Sequence, residues 1–480
     1  RNRKKKKSRF IFFQVMGSST QTSVTILDVH RVNPAPNPPK FSTPLTFFDA
    51  MFLYFPSAKT IFFYQLSDPT PTHFNSVIVP RLRHALSLAL AHFPPLAGRI
   101  TWPARDLKPV ILYMPNEDYH VSLTVAECIN NPESFSQLVG RKPYKATESS
   151  LYAPELHVTD SEAAAMSLQV TLFANHGMAI GVNLHHAVVD GKGFVLFMKA
   201  WAHMNRKLEA SATLVLPPEL APALDRSVVP NPEAVWLKVM DRWDGLMPRA
   251  SSRRRSLNVI LPIFDPNPTS SVRASFEVSL EDATKLKDLV ASSNVDLRMS
   301  TFVLAYSYTL TCLLKARKKK NTDSFKRVVC FTPAECRAHF NPPLPDNYFG
   351  NCLMGCFLPV GAEAVLGQDG FVAVAKSVRE GIEAVKSRKN SDYDDRIMPG
   401  RPFEIGDVLV AVAGSPRLEF YGTDFGWGRP SNVEFAHISD AGTISITERR
   451  DGSDGVEITL VLPVDEMEVF NSLFVAGLKD

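Results

Sequence analysis

The segment at residues 167–204 constrains the fold most strongly, because it passes from a strand pattern to a helix pattern within forty residues. Residues 167–173 and 178–184 are apolar runs of strand length, and Asn175-His176-Gly177 between them is typical of a hairpin turn. Residues 194–204 then follow a helical pattern. Strand and helix patterns mix along the whole chain without strict alternation. The sequence therefore predicts an α+β fold, or an α/β fold with mixed sheets.

The chain has 480 residues, which is too long for one ordinary hydrophobic core, so we expect two domains. Residues 216–248 are proline-rich, contain one short predicted helix at 233–243, and form the best boundary. We predict a basic segment at 1–15, an N-terminal domain at 16–215, a connector at 216–248 and a C-terminal domain at 249–480. Residues 433–438, 443–448 and 456–462 predict an antiparallel meander in that last domain.

The formal charge of +4 is concentrated in residues 1–15, which carry seven Lys or Arg side chains and no acidic one. The rest of the chain has 46 basic and 49 acidic residues, which gives no general electrostatic case for nucleic-acid binding. We interpret residues 1–15 as upstream translated sequence before a natural start at Met16, rather than as a signal peptide or a basic arm. No apolar run reaches the about 18–20 residues that a membrane-spanning helix needs.

The six cysteines lie at irregular spacings and form no Cys-x-x-Cys pair. That pattern favours free thiols in a reducing cytosol over a disulfide framework or a zinc site. We therefore expect a cytosolic protein. Nothing in the sequence indicates an oligomer, so a monomer is the default expectation.

The sharpest local feature is residues 184–193, which read Leu-His-His-Ala-Val-Val-Asp-Gly-Lys-Gly. The feature lies where an apolar strand ends and a helix is about to begin, a junction that holds a side chain rigidly. A histidine there can accept a proton near neutral pH. From the residues alone, His185 and His186 can equally be ordinary strand-end histidines. A metal site with Asp190 is a third and weaker interpretation, because adjacent strand residues point to opposite faces.

Residues 424–428 read Asp-Phe-Gly-Trp-Gly and alone predict a glycine-rich loop with two aromatic side chains packed inward. The Asp-Phe-Gly part does not indicate a kinase, because no glycine-rich nucleotide loop, strand lysine or His-Arg-Asp loop precedes it. The sequence also lacks Gly-x-Ser-x-Gly, Walker A and Gly-x-Gly-x-x-Gly patterns. The sequence therefore lacks the motifs that usually indicate a serine hydrolase, a phosphoryl transferase or a dinucleotide-dependent enzyme.

The two motifs together resemble those of the BAHD acyltransferases of plants, in the same order and with a fitting separation. The resemblance covers about residues 23–478 and is carried by His186-x-x-x-Asp190, by Asp424-Phe425-Gly426-Trp427-Gly428, and by residues 46–49, 93–99, 225–227 and 413–417. It implies two similar-sized CoA-acyltransferase-like α/β domains with a channel between them. Residues 348–352, Tyr-Phe-Gly-Asn-Cys, resemble a motif of the branch that acylates anthocyanin, flavonoid and other phenolic glycosides.

The resemblance also implies roles for particular residues. His186 would be the general base, and Asp190 would support the histidine loop by pairing with an arginine, for which Arg337 is the candidate. Residues 424–428 would lie away from the reacting atoms and support the channel. A malonyl donor carries a carboxylate, for which Lys192 is a candidate ligand, although a solvated lysine at a helix start is the simpler interpretation.

The function that the resemblance implies is transfer of an acyl group from CoA, most simply malonyl, to a sugar hydroxyl of a phenolic or flavonoid glucoside. Acyl-CoA would be a co-substrate, with no bound cofactor and no metal. Three alternatives stay open at this point. The donor could be a hydroxycinnamoyl-CoA; the chain could be a condensation domain of the wider superfamily; or it could be a catalytically idle binding or regulatory relative.

Overall fold

The computed structural model describes residues 23–103, 105–116, 118–129, 133–208, 215–230, 232–246, 255–258, 271–293, 298–319, 327–387, 407–438 and 443–479. The basic segment at 1–15, the start at Met16 and the boundary at 248–249 lie outside the described residues. The predicted domain bounds therefore stay a prediction. Among the described residues, no helix combines the length and the apolar character needed to cross a membrane.

The strands, in chain order, are β1 Ser23–Val32, β2 Phe41–Pro44, β3 Ala58–Gln65, β4 Arg99–Thr101, β5 Val110–Tyr113, β6 Val121–Ile129, β7 Tyr144–Lys145, β8 Glu162–Ala164, β9 Met166–Phe173, β10 Gly177–Leu184, β11 Ser271–Ser279, β12 Arg327–Glu335, β13 Leu353–Gly361, β14 Val408–Ala413, β15 Asn432–Phe435, β16 Thr443–Thr447 and β17 Gly455–Pro463. The α-helices are α1 Phe47–Ala50, α2 Pro71–His73, α3 Val79–His92, α4 Pro94–Ala97, α5 Glu133–Val139, α6 Gly191–Lys207, α7 Glu233–Leu246, α8 Leu280–Ser292, α9 Thr301–Lys319, α10 Ala362–Leu366, α11 Gly370–Lys386 and α12 Val464–Gly477. A π-helical turn at Phe74–Ile78 joins α2 to α3.

Three sheets form within the described residues. A six-stranded sheet has the order β1-β6-β9-β10-β3-β15, and a seven-stranded sheet has the order β13-β12-β14-β16-β17-β11-β7. A smaller sheet has the order β2-β5-β4-β8. Parallel pairs such as β6–β9 and β12–β14 lie among antiparallel ones. The predicted mixed-sheet fold is therefore confirmed.

The centre of the six-stranded sheet is the part that the sequence pattern describes best. Every residue of β9 and β10 is buried, which explains why both strands read as continuous apolar runs. The predicted hairpin between them is confirmed, with Asn175 in the left-handed conformation at φ 64°. The following helix, α6, begins three residues before the predicted start, because the Asp190 side chain caps it by accepting from Gly193 N at 3.1 Å.

Two strands cross between the two halves of the chain. β15 pairs with β3 of the six-stranded sheet, and β7 pairs with β11 of the seven-stranded sheet. The predicted three-stranded meander is therefore wrong at its first strand: β16 and β17 pair antiparallel, but β15 leaves them for β3. The cause is long-range, because alternation along a strand does not say which neighbour it will meet.

Buried ionic contacts hold the crossing strands. Arg273 of β11 places Nε 2.9 Å from Glu434 Oε1 of β15, and both side chains are 2% exposed. Tyr144 of β7 donates its hydroxyl hydrogen bond to the same carboxylate. Charges this deeply buried are tolerated only when paired, so the three strands meet in a fixed geometry.

We expect Arg273→Met to destabilise the protein by about 3–5 kcal/mol, because Glu434 would be left buried without its cation. A urea unfolding curve measures the loss. Arg379→Met is the matched control, since Arg379 pairs with a half-exposed Glu383 four residues on and such surface pairs contribute about 0.5 kcal/mol. Equal unfolding midpoints for the two variants would contradict the role given to Arg273.

Candidate active site

The loop at residues 185–190 joins β10 to α6 and presents His186. It begins where β10 ends at Leu184, in the interior of the six-stranded sheet. The loop is tightly wound: His185 N donates to Ala165 O at 3.0 Å, and Val188 N donates to His185 O at 2.9 Å. A side chain on such a loop is held by a buried strand on one side and a capped helix on the other.

The His186 ring is stacked and only partly exposed. It lies parallel to the ring of Phe52, with centroids 4.0 Å apart and an angle of 8° between the planes. Phe55 lies 6.5 Å away and contacts Trp243 of α7 edge-on at 6.0 Å. Phe52 and Phe55 therefore form an aromatic wall that restricts how the imidazole can turn.

The protonation of His186 is set by opposing effects. Burial lowers the pKa of the ring below its usual 6.5, while its own carbonyl, Asp190 and the Asn351 side chain each raise it. The net shift is downward, so the ring is neutral at pH 7. Nδ1 is buried without a hydrogen-bond partner among the described residues, so the exposure of the ring falls on the side of Nε2.

Asp190 is buried and is fully engaged by the surrounding backbone and by Arg337. Its Oδ1 caps α6, and its Oδ2 accepts a hydrogen bond from Cys352 N at 3.1 Å. Arg337 Nη2 lies 2.8 Å from Asp190 Oδ2, and both side chains are at most 2% exposed. The structure thus brings these two predicted partners together, and it directs the carboxylate into the protein.

Arg337 extends this contact to the segment at 348–352. Its Nη2 also donates to the carbonyls of Tyr348 and Gly350, at 3.0 and 3.2 Å. The guanidinium lies over the Tyr348 ring, 5.6 Å from the centroid. Arg337 therefore links the Tyr-Phe-Gly-Asn-Cys motif to the histidine loop through Asp190.

A second buried pair, Asp49 with Arg226, supports the same loop and was not predicted as part of the site. Asp49 is fully buried and pairs with Arg226, which is 2% exposed. Arg226 also donates to Val188 O in the middle of the histidine loop. Both residues lie in segments that the family resemblance had marked, at 46–49 and 225–227. The sequence feature that could have indicated this pair is the charge of each residue: Asp49 lies in an apolar segment, and Arg226 lies in a proline-rich one.

Asn351 connects that pair to His186. Its Nδ2 donates to Asp49 Oδ1 and to His186 O, both at 2.9 Å. Its Oδ1 is buried with no hydrogen-bond partner among the described residues, as is His186 Nδ1. The Asn351 side chain raises the pKa of the His186 ring, as an accepting amide oxygen near a ring N–H would do.

His185 has a structural position. Its Nδ1 accepts a hydrogen bond from Ala187 N at 3.3 Å, and burial lowers its pKa to about 4. The strand-end interpretation therefore fits His185. Within the described residues, no three His, Cys, Asp or Glu side chains are grouped as metal ligands. The expected absence of a metal stays a prediction.

The Asp-Phe-Gly-Trp-Gly segment packs against the far end of α6. Asp424 Oδ1 accepts from Gly426 N and Gly428 N, at 2.7 and 2.9 Å, and so closes the loop on itself. Phe425 is buried edge-on against Trp201 of α6 at 4.9 Å. Trp427 stacks on Phe425 at 5.9 Å. These contacts lie near the C-terminal turns of α6, whereas His186 precedes its first turn.

Lys192 lies at the start of α6, and its ammonium pairs with Asp346. Its side chain is 34% exposed and that of Asp346 is 93% exposed. An ion pair this exposed contributes little, so it does not fix the lysine in place.

Comparison with known proteins decides the family. The chain matches the Transferase family over residues 22–476. It is 37% identical to phenolic glucoside malonyltransferase 1 of Arabidopsis thaliana, over 97% of this chain and 100% of that protein. The chain belongs to the BAHD acyltransferase family. The predicted family and the predicted class of enzyme, an acyltransferase, are confirmed.

Two further matches locate this BAHD acyltransferase more closely. It is 37% identical to malonyl-CoA:anthocyanidin 5-O-glucoside-6''-O-malonyltransferase of Arabidopsis thaliana, over 95% of this chain and 99% of that protein. The crystal structure of vinorine synthase superposes with a TM-score of 0.65 at 21% identity, covering 93% of this chain and 96% of that one. The latter likeness supports the fold alone.

We expect Asp49→Asn to destabilise this BAHD acyltransferase by about 3–5 kcal/mol, because Arg226 would remain buried without its counter-ion. Urea unfolding measures this. Asp225→Asn is the matched control, since the exposed Asp225 is hydrogen-bonded only to the neighbouring Ser227 among the described residues. If Asp49→Asn unfolded at the same urea concentration as the wild type, the stabilising role given to the Asp49–Arg226 pair would be refuted.

Proposed function

We propose that this protein transfers an acyl group, malonyl in the first instance, from CoA to a sugar hydroxyl of a phenolic or flavonoid glucoside. The observation that carries the proposal is His186: a neutral, stacked imidazole whose Nε2 side is open while its Nδ1 side is buried. The activities for which the two relatives at 37% identity are named support the donor and the acceptor class.

In the proposed mechanism, His186 Nε2 removes the proton from the sugar hydroxyl as its oxygen attacks the thioester carbonyl. The tetrahedral intermediate then collapses, the C–S bond breaks, and the imidazolium returns the proton to the CoA sulfur. Base catalysis of this kind contributes about 10²–10⁴-fold to the rate. Holding both substrates in position and stabilising the oxyanion must supply the remainder.

The mechanism needs no cysteine nucleophile and gives Asp190 no proton. Cys352 is fully buried beside Cys336, with their sulfurs 3.2 Å apart. The Asp190 carboxylate is held by Arg337, by Cys352 N and by the first turn of α6. We therefore assign Asp190 and Arg337 to positioning the histidine loop, and residues 424–428 to supporting α6.

A malonyl donor needs a cation near the histidine loop to bind its free carboxylate. Lys192 is our candidate for its carboxylate, because the ammonium stands next to the histidine loop and can exchange the exposed Asp346 for a ligand. A hydroxycinnamoyl donor has no such carboxylate, and the aromatic wall of Phe52 and Phe55 would suit its ring. The cytosolic location, the monomeric state and the absence of a bound cofactor stay predictions.

We expect the wild type, incubated with phenolic glucosides and malonyl-CoA, to form a product heavier by one malonyl group. His186→Ala should reduce its rate by about 10²–10⁴-fold while leaving CoA binding intact. Mass spectrometry of parallel reactions with malonyl-, acetyl- and coumaroyl-CoA measures both. His185→Gln, at the neighbouring structural histidine, controls for disturbance of the loop.

Each outcome of this assay bears on a different part of the proposal. A coumaroyl product alone would overturn the donor and keep the mechanism. A folded protein that binds CoA but acylates no glucoside would overturn the proposed acceptor. Turnover by His186→Ala at the wild-type rate would overturn the base.

A further inference from the structure

His437 stands beside the candidate active site, and the mechanism gives it no role. β10 and β15 both pair antiparallel with β3, so they run parallel to each other on its two sides. The register aligns both of their C-terminal ends with the first residues of β3. His186 follows the last residue of β10 by two positions, and His437 follows the last residue of β15 by two positions.

This arrangement brings the two histidines to one edge of the sheet. Neighbouring strands are about 4.8 Å apart, so the backbones of β10 and β15 are separated by roughly 10 Å. An imidazole carried just beyond the end of each strand can therefore reach a ligand between them.

The backbone of His437 is fixed. Ile438 N donates to Phe435 O at 3.1 Å and closes a tight turn with His437 inside it. Arg273 donates to the same Phe435 carbonyl at 3.2 Å and to Ile438 O at 2.7 Å. The buried cation that holds β15 in the sheet thus also sets the position of this histidine.

One nitrogen of the His437 ring is committed and the other is not. Nδ1 lies 3.1 Å from Lys59 O, and because a carbonyl only accepts, Nδ1 must carry the hydrogen. Burial lowers the pKa of His437 to about 4, with His186 among the nearby charges that lower it, so the ring is neutral at pH 7. Nε2 then offers a lone pair, and none of the described residues hydrogen-bonds to it.

A neutral imidazole with a bare Nε2 selects a particular kind of ligand group. It accepts a hydrogen bond from a hydroxyl and offers nothing to a carboxylate, which is itself only an acceptor. The malonyl end of the donor is therefore a poor match, whereas a sugar with several hydroxyls is a good one. Taking the proposed function as its basis, we infer that His437 Nε2 binds a second hydroxyl of the acceptor sugar while His186 activates the first.

Two substitutions of His437 distinguish the role of Nδ1 from the role of Nε2. In His437→Asn the amide can still donate to Lys59 O but stops short of the Nε2 position, whereas in His437→Gln the amide oxygen reaches that position. We expect the Asn variant to raise the KM for the glucoside about threefold to tenfold, the worth of one hydrogen bond, with the KM for acyl-CoA unchanged. The Gln variant should stay within about twofold of the wild type.

A deoxy-sugar series identifies the hydroxyl concerned. The wild type should lose the same factor when that hydroxyl is missing from the acceptor, and the Asn variant should lose nothing further, because the partner is already absent. His84→Asn, on the exposed face of α3, is the control for a histidine replaced elsewhere. Unfolding midpoints of all variants show whether the fold survives.

The outcomes separate this inference from the proposed function. A wild type that acylates no glucoside overturns both. A wild type that acylates glucosides, together with an Asn variant of unchanged KM or of equally raised KM for both substrates, overturns the role of His437 alone. A Gln variant that loses affinity for the glucoside while the Asn variant keeps it would also overturn the role, by showing that the Nδ1 contact with Lys59 O is what matters.

Discussion

Two buried carboxylates, Asp49 and Asp190, are the interactions on which the rest of the site depends. Each is paired with a buried arginine, Asp49 with Arg226 and Asp190 with Arg337. Arg226 also donates a hydrogen bond to a carbonyl of the histidine loop, and Arg337 donates one to a carbonyl of the segment at 348–352. A buried charge that loses its partner is far costlier than a surface charge that does so, so these contacts persist as a unit. The histidine loop is therefore held by charges that are buried in the protein.

These contacts also explain why the site needs both halves of the chain. Asp190 and its loop come from the first half, while Arg337, Asn351 and Cys352 come from the second. β15, also from the second half, crosses to the first sheet and is held there by Arg273 through Glu434. Loss of the crossing strand would remove His437 from the sheet edge and loosen the surroundings of His186 together.

The sequence predicted well those elements that depend only on residues close together in the chain. The buried strands β9 and β10, the turn at Asn175 and the amphipathic α6 follow from period, length and turn chemistry, which neighbouring residues determine. The motif pair predicted the family and singled out His186 and Asp190, and the family resemblance added Arg337 as the partner of Asp190. What could not be predicted are contacts over long stretches of chain: the pairing of Asp49 with Arg226, the amide of Asn351, and the departure of β15 from its expected meander. Each depends on topology that a local pattern does not contain.

The most direct test of this account is the pH dependence of kcat/KM for the acceptor, in the wild type and in Asn351→Leu. In the proposed mechanism neutral His186 is the active form, so the rate should hold at neutral pH and fall as pH drops through a pKa below 6.5. Because Asn351 raises that pKa, its loss should move the acidic fall to lower pH. A wild-type profile without an acidic limb, or a limb that stays in place or moves upward in the variant, would contradict a base whose pKa is raised by Asn351.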